Sequence, residues 1–90
     1  MKDLFGWTSI GRPDMPRAVV LLNTDLGKEN MVLEKLRSFP QIRESYFVYG
    51  VYDIVAILEA SSNEELSQVV TRKIRTLPEV KSTLTMIVIE

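Results

Sequence analysis

Arg43-Glu44-Ser45-Tyr46-Phe47-Val48-Tyr49-Gly50-Val51-Tyr52-Asp53-Ile54-Val55-Ala56-Ile57-Leu58-Glu59-Ala60 is the centre of the chain and the key to its architecture. Arg43 to Tyr49 is rich in aromatic and β-favouring residues, and Tyr52 to Ala60 is nearly all apolar, so both read as strands. Gly50-Val51 between them suits a two-residue hairpin turn of type II′, which needs glycine at its first central position. Upstream, Met31, Val32 and Leu36 recur at helical spacing within Lys28 to Ser38, Phe39 lies one turn beyond, and Pro40 stops the helix. Downstream, Ser62 with Glu65 forms a capping-box signature, Leu66, Val69, Val70 and Ile74 share one helical side, and Pro78 ends that helix. Outer strands are expected at Ala18-Val19-Val20-Leu21-Leu22, closed by the Asp25-Leu26-Gly27 turn, and at Thr83 to Ile89. The order is β-α-β-β-α-β. It predicts an α+β, ferredoxin-like sandwich with a four-stranded antiparallel sheet and two helices on one face.

An internal repeat runs through this order. With a shift of 38, Met31–Ser45 lies over Val69–Thr83. Val32/Val70, Lys35/Lys73, Arg37/Arg75 and Pro40/Pro78 are identical pairs. Leu36/Ile74, Phe39/Leu77, Ile42/Val80, Arg43/Lys81 and Ser45/Thr83 are conservative ones. Each half is helix, proline stop, strand.

The 90 residues suffice for one domain. Eleven basic and twelve acidic residues give a net charge of −1, and the pI is about 5.5, which argues against direct nucleic-acid binding. The chain has no His and no Cys, which excludes disulfides, Cys/His zinc sites and imidazole-based catalysis. No apolar run approaches a membrane span, and Met1 to Gly11 lacks the core of a signal peptide, so a cytoplasmic setting is expected. Residues 1–16 read as an N-terminal extension broken by Gly6, Gly11, Pro13 and Pro16. Its Leu4, Phe5, Trp7 and Ile10 are expected to pack on something. Gly11-Arg12-Pro13 lacks the flanking arginines of a minor-groove hook. Residues 17–90 form the domain proper.

Ala18 to Leu22 and Ile54 to Leu58 are unbroken apolar runs, and Leu84 to Ile89 has one polar break. A sheet with one wetted face alternates instead. Both faces are therefore apolar in at least three strands, and two short helices cover only one. The bare face predicts burial against a second copy, sheet on sheet, in a two-fold, dimeric α/β barrel-like assembly. The competing reading folds residues 1–16 over that face.

Few residues carry chemistry. Asp53 follows the hairpin and precedes five apolar residues. It either accepts backbone N–H bonds or opposes a cation, or it lines a pocket. Tyr46, Phe47, Tyr49 and Tyr52 are either cross-strand packing or the wall of a small-molecule site. There is no glycine-rich phosphate loop and no metal-ligand spacing, so no cofactor is expected.

Ala18-Val19-Val20-Leu21-Leu22, the Phe39-Pro40-x-Ile42 stop, Tyr49-Gly50-Val51-Tyr52-Asp53-Ile54-Val55 and Leu77-Pro78-Glu79-Val80-Lys81-Ser82-Thr83-Leu84-Thr85-Met86-Ile87-Val88 together resemble the C-terminal effector (RAM) domain of the Lrp/AsnC transcriptional regulators. The resemblance covers about residues 18–90. It implies a non-enzymatic module that forms homodimers and octameric rings and binds an amino-acid effector between dimers. Full-length members carry a helix-turn-helix ahead of this domain. The 16 residues present here imply a stand-alone form that regulates transcription indirectly, through full-length Lrp/AsnC partners. Carried over by motif, the ligand-binding residues are Gly50, Tyr52 and Asp53, with Thr83 and Thr85. Backbone N–H groups at the Gly turn would take the ligand's carboxylate, and Asp53 its ammonium. Two positions depart from the family's pattern. Tyr49 stands where a Thr usually precedes the Gly, and Val51 where a polar residue often follows it. The alternatives are an adaptor with Phe5 and Trp7 as its contact arm, an enzyme on a dimeric ferredoxin-like barrel, and an ACT-type sensor using Gly27.

Overall fold

The computed structural model describes residues 15–89. The expectations for the extension at Leu4, Phe5, Trp7, Ile10 and Gly11-Arg12-Pro13 lie outside the described residues. The elements are β1 (Arg17–Thr24), α1 (Glu29–Arg37), β2 (Ile42–Phe47), β3 (Ile54–Glu59), α2 (Asn63–Val69) and β4 (Val80–Ile87). A π-helical segment, Val70–Ile74, continues α2. The strands form one antiparallel sheet in the order β2-β3-β1-β4, so β2 and β4 are its edges. This is the ferredoxin-like sandwich expected from the element order.

The register sorts the side chains between two faces. Ala18, Val20 and Leu22 stand opposite Leu58, Ala56 and Ile54 across β1 and β3, and all six are buried beneath the helices. Val32, Leu33 and Leu36 of α1 and Leu66, Val69, Val70 and Ile74 of the second helix complete that core. Met31, expected on the buried side, is instead exposed, and Leu33 takes its place. Buried aliphatic side chains contribute roughly 1.5–3 kcal/mol each, which is what holds two short helices on the sheet.

The other face carries Val19 and Leu21 of β1, Val55 and Ile57 of β3, Leu84 and Met86 of β4, and Tyr46 of β2. Val19, Leu21 and Val55 are half-buried, while Leu84, Met86 and Tyr46 are 45%, 44% and 42% exposed. The second face is therefore apolar on β1, β3 and β4, with Ile57 already buried within the protomer, while β2 adds Glu44 beside Tyr46. The helices also leave part of the first face uncovered. Helix α1 packs on β2 and β3, and α2 on β1, so Thr83, Thr85 and Ile87 of β4 flank the second helix along a groove.

The repeat is physical. Both proline-stopped exits carry the same backbone bonds. Phe39 N–H donates to Leu36 O (3.0 Å) and Leu77 N–H to Ile74 O (3.1 Å). Ile42 N–H donates to Phe39 O and Val80 N–H to Leu77 O, both at 3.1 Å. Phe39, Ile42, Leu77 and Val80 all pack half-buried against the core. The halves also clasp each other crosswise. Lys35 Nζ reaches Glu79 Oε1 (2.9 Å), and its repeat mate Lys73 reaches Gln41 Oε1 (3.3 Å), where Gln41 is the repeat mate of Glu79. Lys73 Nζ also lies 5.5 Å from the Phe39 ring centroid.

At the start of α2, Ser62 Oγ accepts the Glu65 N–H (3.1 Å), the first half of the capping box. The return bond is displaced by one residue, because Glu65 Oε1 accepts from the Ser61 N–H (2.9 Å) and Ser61 Oγ (2.6 Å). These bonds, with one from Gln41, favour the ionised form and lower the Glu65 pKa from 4.5 to about 2. The folded pKa lies below the unfolded one. The resulting stabilisation is complete above pH 4.5 and is lost as pH falls towards 2. Acid titration followed by amide shifts of Ser61 and Glu65 should show this loss, and Glu65→Gln should remove its pH dependence. An unchanged acid profile in Glu65→Gln would contradict the assignment.

Candidate functional site

Two clusters carry the polar chemistry. The first is the β2–β3 connection. Strand β2 ends at Phe47 and β3 begins at Ile54, so Tyr52 and Asp53 lie in the connection and not in the third strand. The type II′ turn at Gly50-Val51 is not formed. That turn needs a positive φ at its glycine, and among the described residues only Gly27 has one, at +80°. The loop is closed lower down, where Val48 N–H donates to Asp53 O (2.8 Å). Tyr49 and Val51 are left exposed at its tip.

Asp53 ties this loop to the end of β1. Its N–H donates to Leu22 O (2.9 Å), and its Oδ2 accepts the Thr24 N–H (2.9 Å). This matches the backbone-accepting reading of Asp53. The bond falls where the β1–β4 register shifts, between Asn23 and Thr24, so the carboxylate takes up an N–H at an irregular point of the ladder. Thr24 Oγ1 beside it is buried with no hydrogen-bond partner.

The second cluster is the groove between the second helix and β4, with a volume of about 870 Å³. Thr83 and Thr85 line it. Arg75, Lys81 and Thr71 line it too, over a floor that includes Val70 and Ile87. No carboxylate is among the lining residues. Helix and strand run antiparallel here, so Arg75 and Lys81 share one end of the groove. Neither side chain has a partner among the described residues. Gly50, Tyr52 and Asp53 do not line this groove. The five residues expected to bind a ligand thus fall into two groups within one protomer, on opposite sides of β1.

Arg75 and Lys81 were not among the expected site residues. The signal for them was present in the repeat, which pairs Arg75 with Arg37, Lys81 with Arg43 and Thr83 with Ser45. Among the described residues no group of His, Cys, Asp or Glu could hold a metal ion, and no helix is long and apolar enough to cross a membrane.

Comparison with known proteins agrees with this architecture. The profile of the Lrp/AsnC ligand binding domain matches residues 17–90. The HTH-type transcriptional regulator FL11 of Pyrococcus horikoshii is 34% identical over 73 residues, which is 81% of this chain and 48% of that protein. The chain thus spans about half the length of that regulator. The crystal structure of FFRP-DM1 superposes with a TM-score of 0.81 at 44% identity, covering 83% of this chain and 100% of that one. The hypothetical protein PHS023 of Pyrococcus horikoshii gives 0.80 at 43% identity, covering 84% and 92%. With that profile matching residues 17–90, this chain belongs to the Lrp/AsnC ligand-binding domain family.

Proposed function

We propose that the protein is a non-enzymatic effector-binding and oligomerisation module of the Lrp/AsnC type. It pairs through its open sheet face and regulates transcription by responding to a small molecule, an amino acid. The observation that carries this reading is the second apolar face, on which Val19, Leu21, Val55, Leu84 and Met86 adjoin across three strands. Leu84 and Met86 leave 45% and 44% of their surface exposed there, and exposed apolar side chains that adjoin on a sheet face mark an interaction surface. A second copy presenting the same face is the self-complementary cover.

The two polar clusters fit a ligand bound where protomers adjoin. A free amino acid needs a cation or N–H groups for its carboxylate and an acid for its ammonium. Within one protomer the groove offers Arg75, Lys81, Thr83 and Thr85 without an acid, while Asp53 lies on the other side of β1. Joining Asp53, Tyr52 and Gly50 of one copy to Thr83 and Thr85 of another completes the set. Octameric rings of four dimers supply such junctions, and mixed assembly with full-length Lrp/AsnC regulators would carry the response to DNA.

Light scattering with and without each of the twenty amino acids tests this. A dimer or larger species whose mass or midpoint shifts with at least one amino acid is expected. A protomer-sized particle at micromolar concentration, indifferent to all twenty at millimolar levels, would remove the reading.

A further inference from the structure

The two halves of the repeat each form a groove between helix end and following strand. In the first half it is lined by Arg37, Ile42, Arg43, Glu44, Ser45 and Tyr46 and measures about 370 Å³. In the second half the same five repeat positions, Arg75, Val80, Lys81, Ser82 and Thr83, line the groove of about 870 Å³. In the first groove the arginine is already engaged. Arg37 Nε donates to Ser45 Oγ (3.2 Å) and an Arg37 Nη to Ser45 O (3.1 Å), so the guanidinium fork is occupied by two oxygens. Its mate Arg75 makes no such bond to Thr83, and its guanidinium has no partner among the described residues. The helix also differs between the halves. Arg75 N–H donates to Val70 O (2.8 Å), the five-residue bond of a π turn, whereas α1 stays α-helical to Arg37. π turns interrupt helices often at functional sites.

Charge distinguishes the grooves further. The first contains Glu44, and at the matching place the second has Ser82. The second groove therefore gathers two cations and several hydroxyls with no carboxylate. Arg75 and Lys81, both exposed, line the groove together with the hydroxyls of Thr71, Ser82 and Thr83, and a guanidinium fork with hydroxyls in one groove is recognition chemistry for a carboxylate or phosphate.

We propose that the groove between the second helix and β4 is an oxyanion site, in which Arg75 and Thr83 hold the carboxylate or phosphate group of a small ligand and Lys81 adds charge. The oxyanion half of the site is built within one protomer, and a second copy adds Asp53 only for a ligand that also carries an ammonium. It rests on the effector-binding reading only in giving the groove a ligand. The apolar floor at Val70 and Ile87 takes the remainder of that ligand.

The test is an amide and arginine-Nε NMR titration of the full chain with sodium acetate and with sodium phosphate, against sodium chloride at equal ionic strength. Saturable shifts at Arg75 and residues 81–85 with either anion are expected, and the tighter anion names the ligand group. Arg75→Gln should weaken binding about tenfold or more, the loss of one charge-assisted hydrogen bond. Arg37→Gln should leave it within about twofold, since that fork already has partners. Silence with both anions, an undisturbed Arg75→Gln, or equal weakening by Arg37→Gln overturns the site. Amino acids give a separate arm. If acetate saturates the groove and no amino acid binds, the oxyanion site stands and the amino-acid reading falls. If amino acids bind and Arg75→Gln leaves them unaffected, the reverse holds.

Discussion

Leu84→Asp is expected to leave the protein as single protomers, by disrupting the sheet-on-sheet pairing proposed above. Leu84 stands opposite Leu21 on the open face and is 45% exposed in one protomer, so the substitution leaves the helix-side core untouched. In a two-fold dimer it places two carboxylates in the apolar interface. An unpaired buried charge costs about 3–5 kcal/mol, and every 1.4 kcal/mol is about tenfold in Kd. Dimer affinity should fall by at least about a hundred-fold on this scale. Light scattering and analytical ultracentrifugation should show the mass of one chain, with unchanged far-UV circular dichroism. Gln68→Asp, exposed on the second helix, serves as the charge-matched control and should keep the wild-type mass. A Leu84→Asp protein that keeps that mass would show that the open face is not the pairing surface.

Asp53→Ala should lower stability and ligand affinity together, whereas Asp53→Asn should separate them. The Asp53 carboxylate accepts the part-buried Thr24 N–H, a bond of the charge-assisted kind. Its removal leaves that N–H unpaired and costs about 2 kcal/mol. For a domain of this size each kcal/mol lowers Tm by roughly 4–8 °C, so a drop of about 8–16 °C is expected. Asparagine keeps an oxygen acceptor and should recover most of that loss. It cannot neutralise an ammonium, so amino-acid binding should remain weak in Asp53→Asn. Calorimetry alongside thermal unfolding reads both quantities. Restored binding in Asp53→Asn would make Asp53 a purely structural tie between the loop and β1.

The proline-stopped helices, the apolar strands and the repeat were legible because each rests on local chemistry. Pro40 and Pro78 lack the N–H that a helix interior needs, and Val32, Leu36, Val70 and Ile74 keep the helical period. The β2–β3 tip was not. Glycine is compatible with a tight turn at Gly50 but does not require one. The loop is set by bonds from Asp53 to Leu22 and Thr24, some thirty positions away in the chain. Met31 shows the same limit, since the period admits either Met31 or Leu33 and only the placement of α1 over β2 and β3 selects Leu33.

Alternation and periodicity, which depend on neighbouring residues alone, were enough for the element order, the doubled helix–strand unit and the surplus of apolar sheet. The joining of Asp53 to β1, the uncovered flank of β4 and the contrast between an occupied Arg37 and an unpartnered Arg75 came from the packing. Identical residues at repeat positions meet different surroundings once one edge strand, β2, lies under a helix and the other, β4, does not.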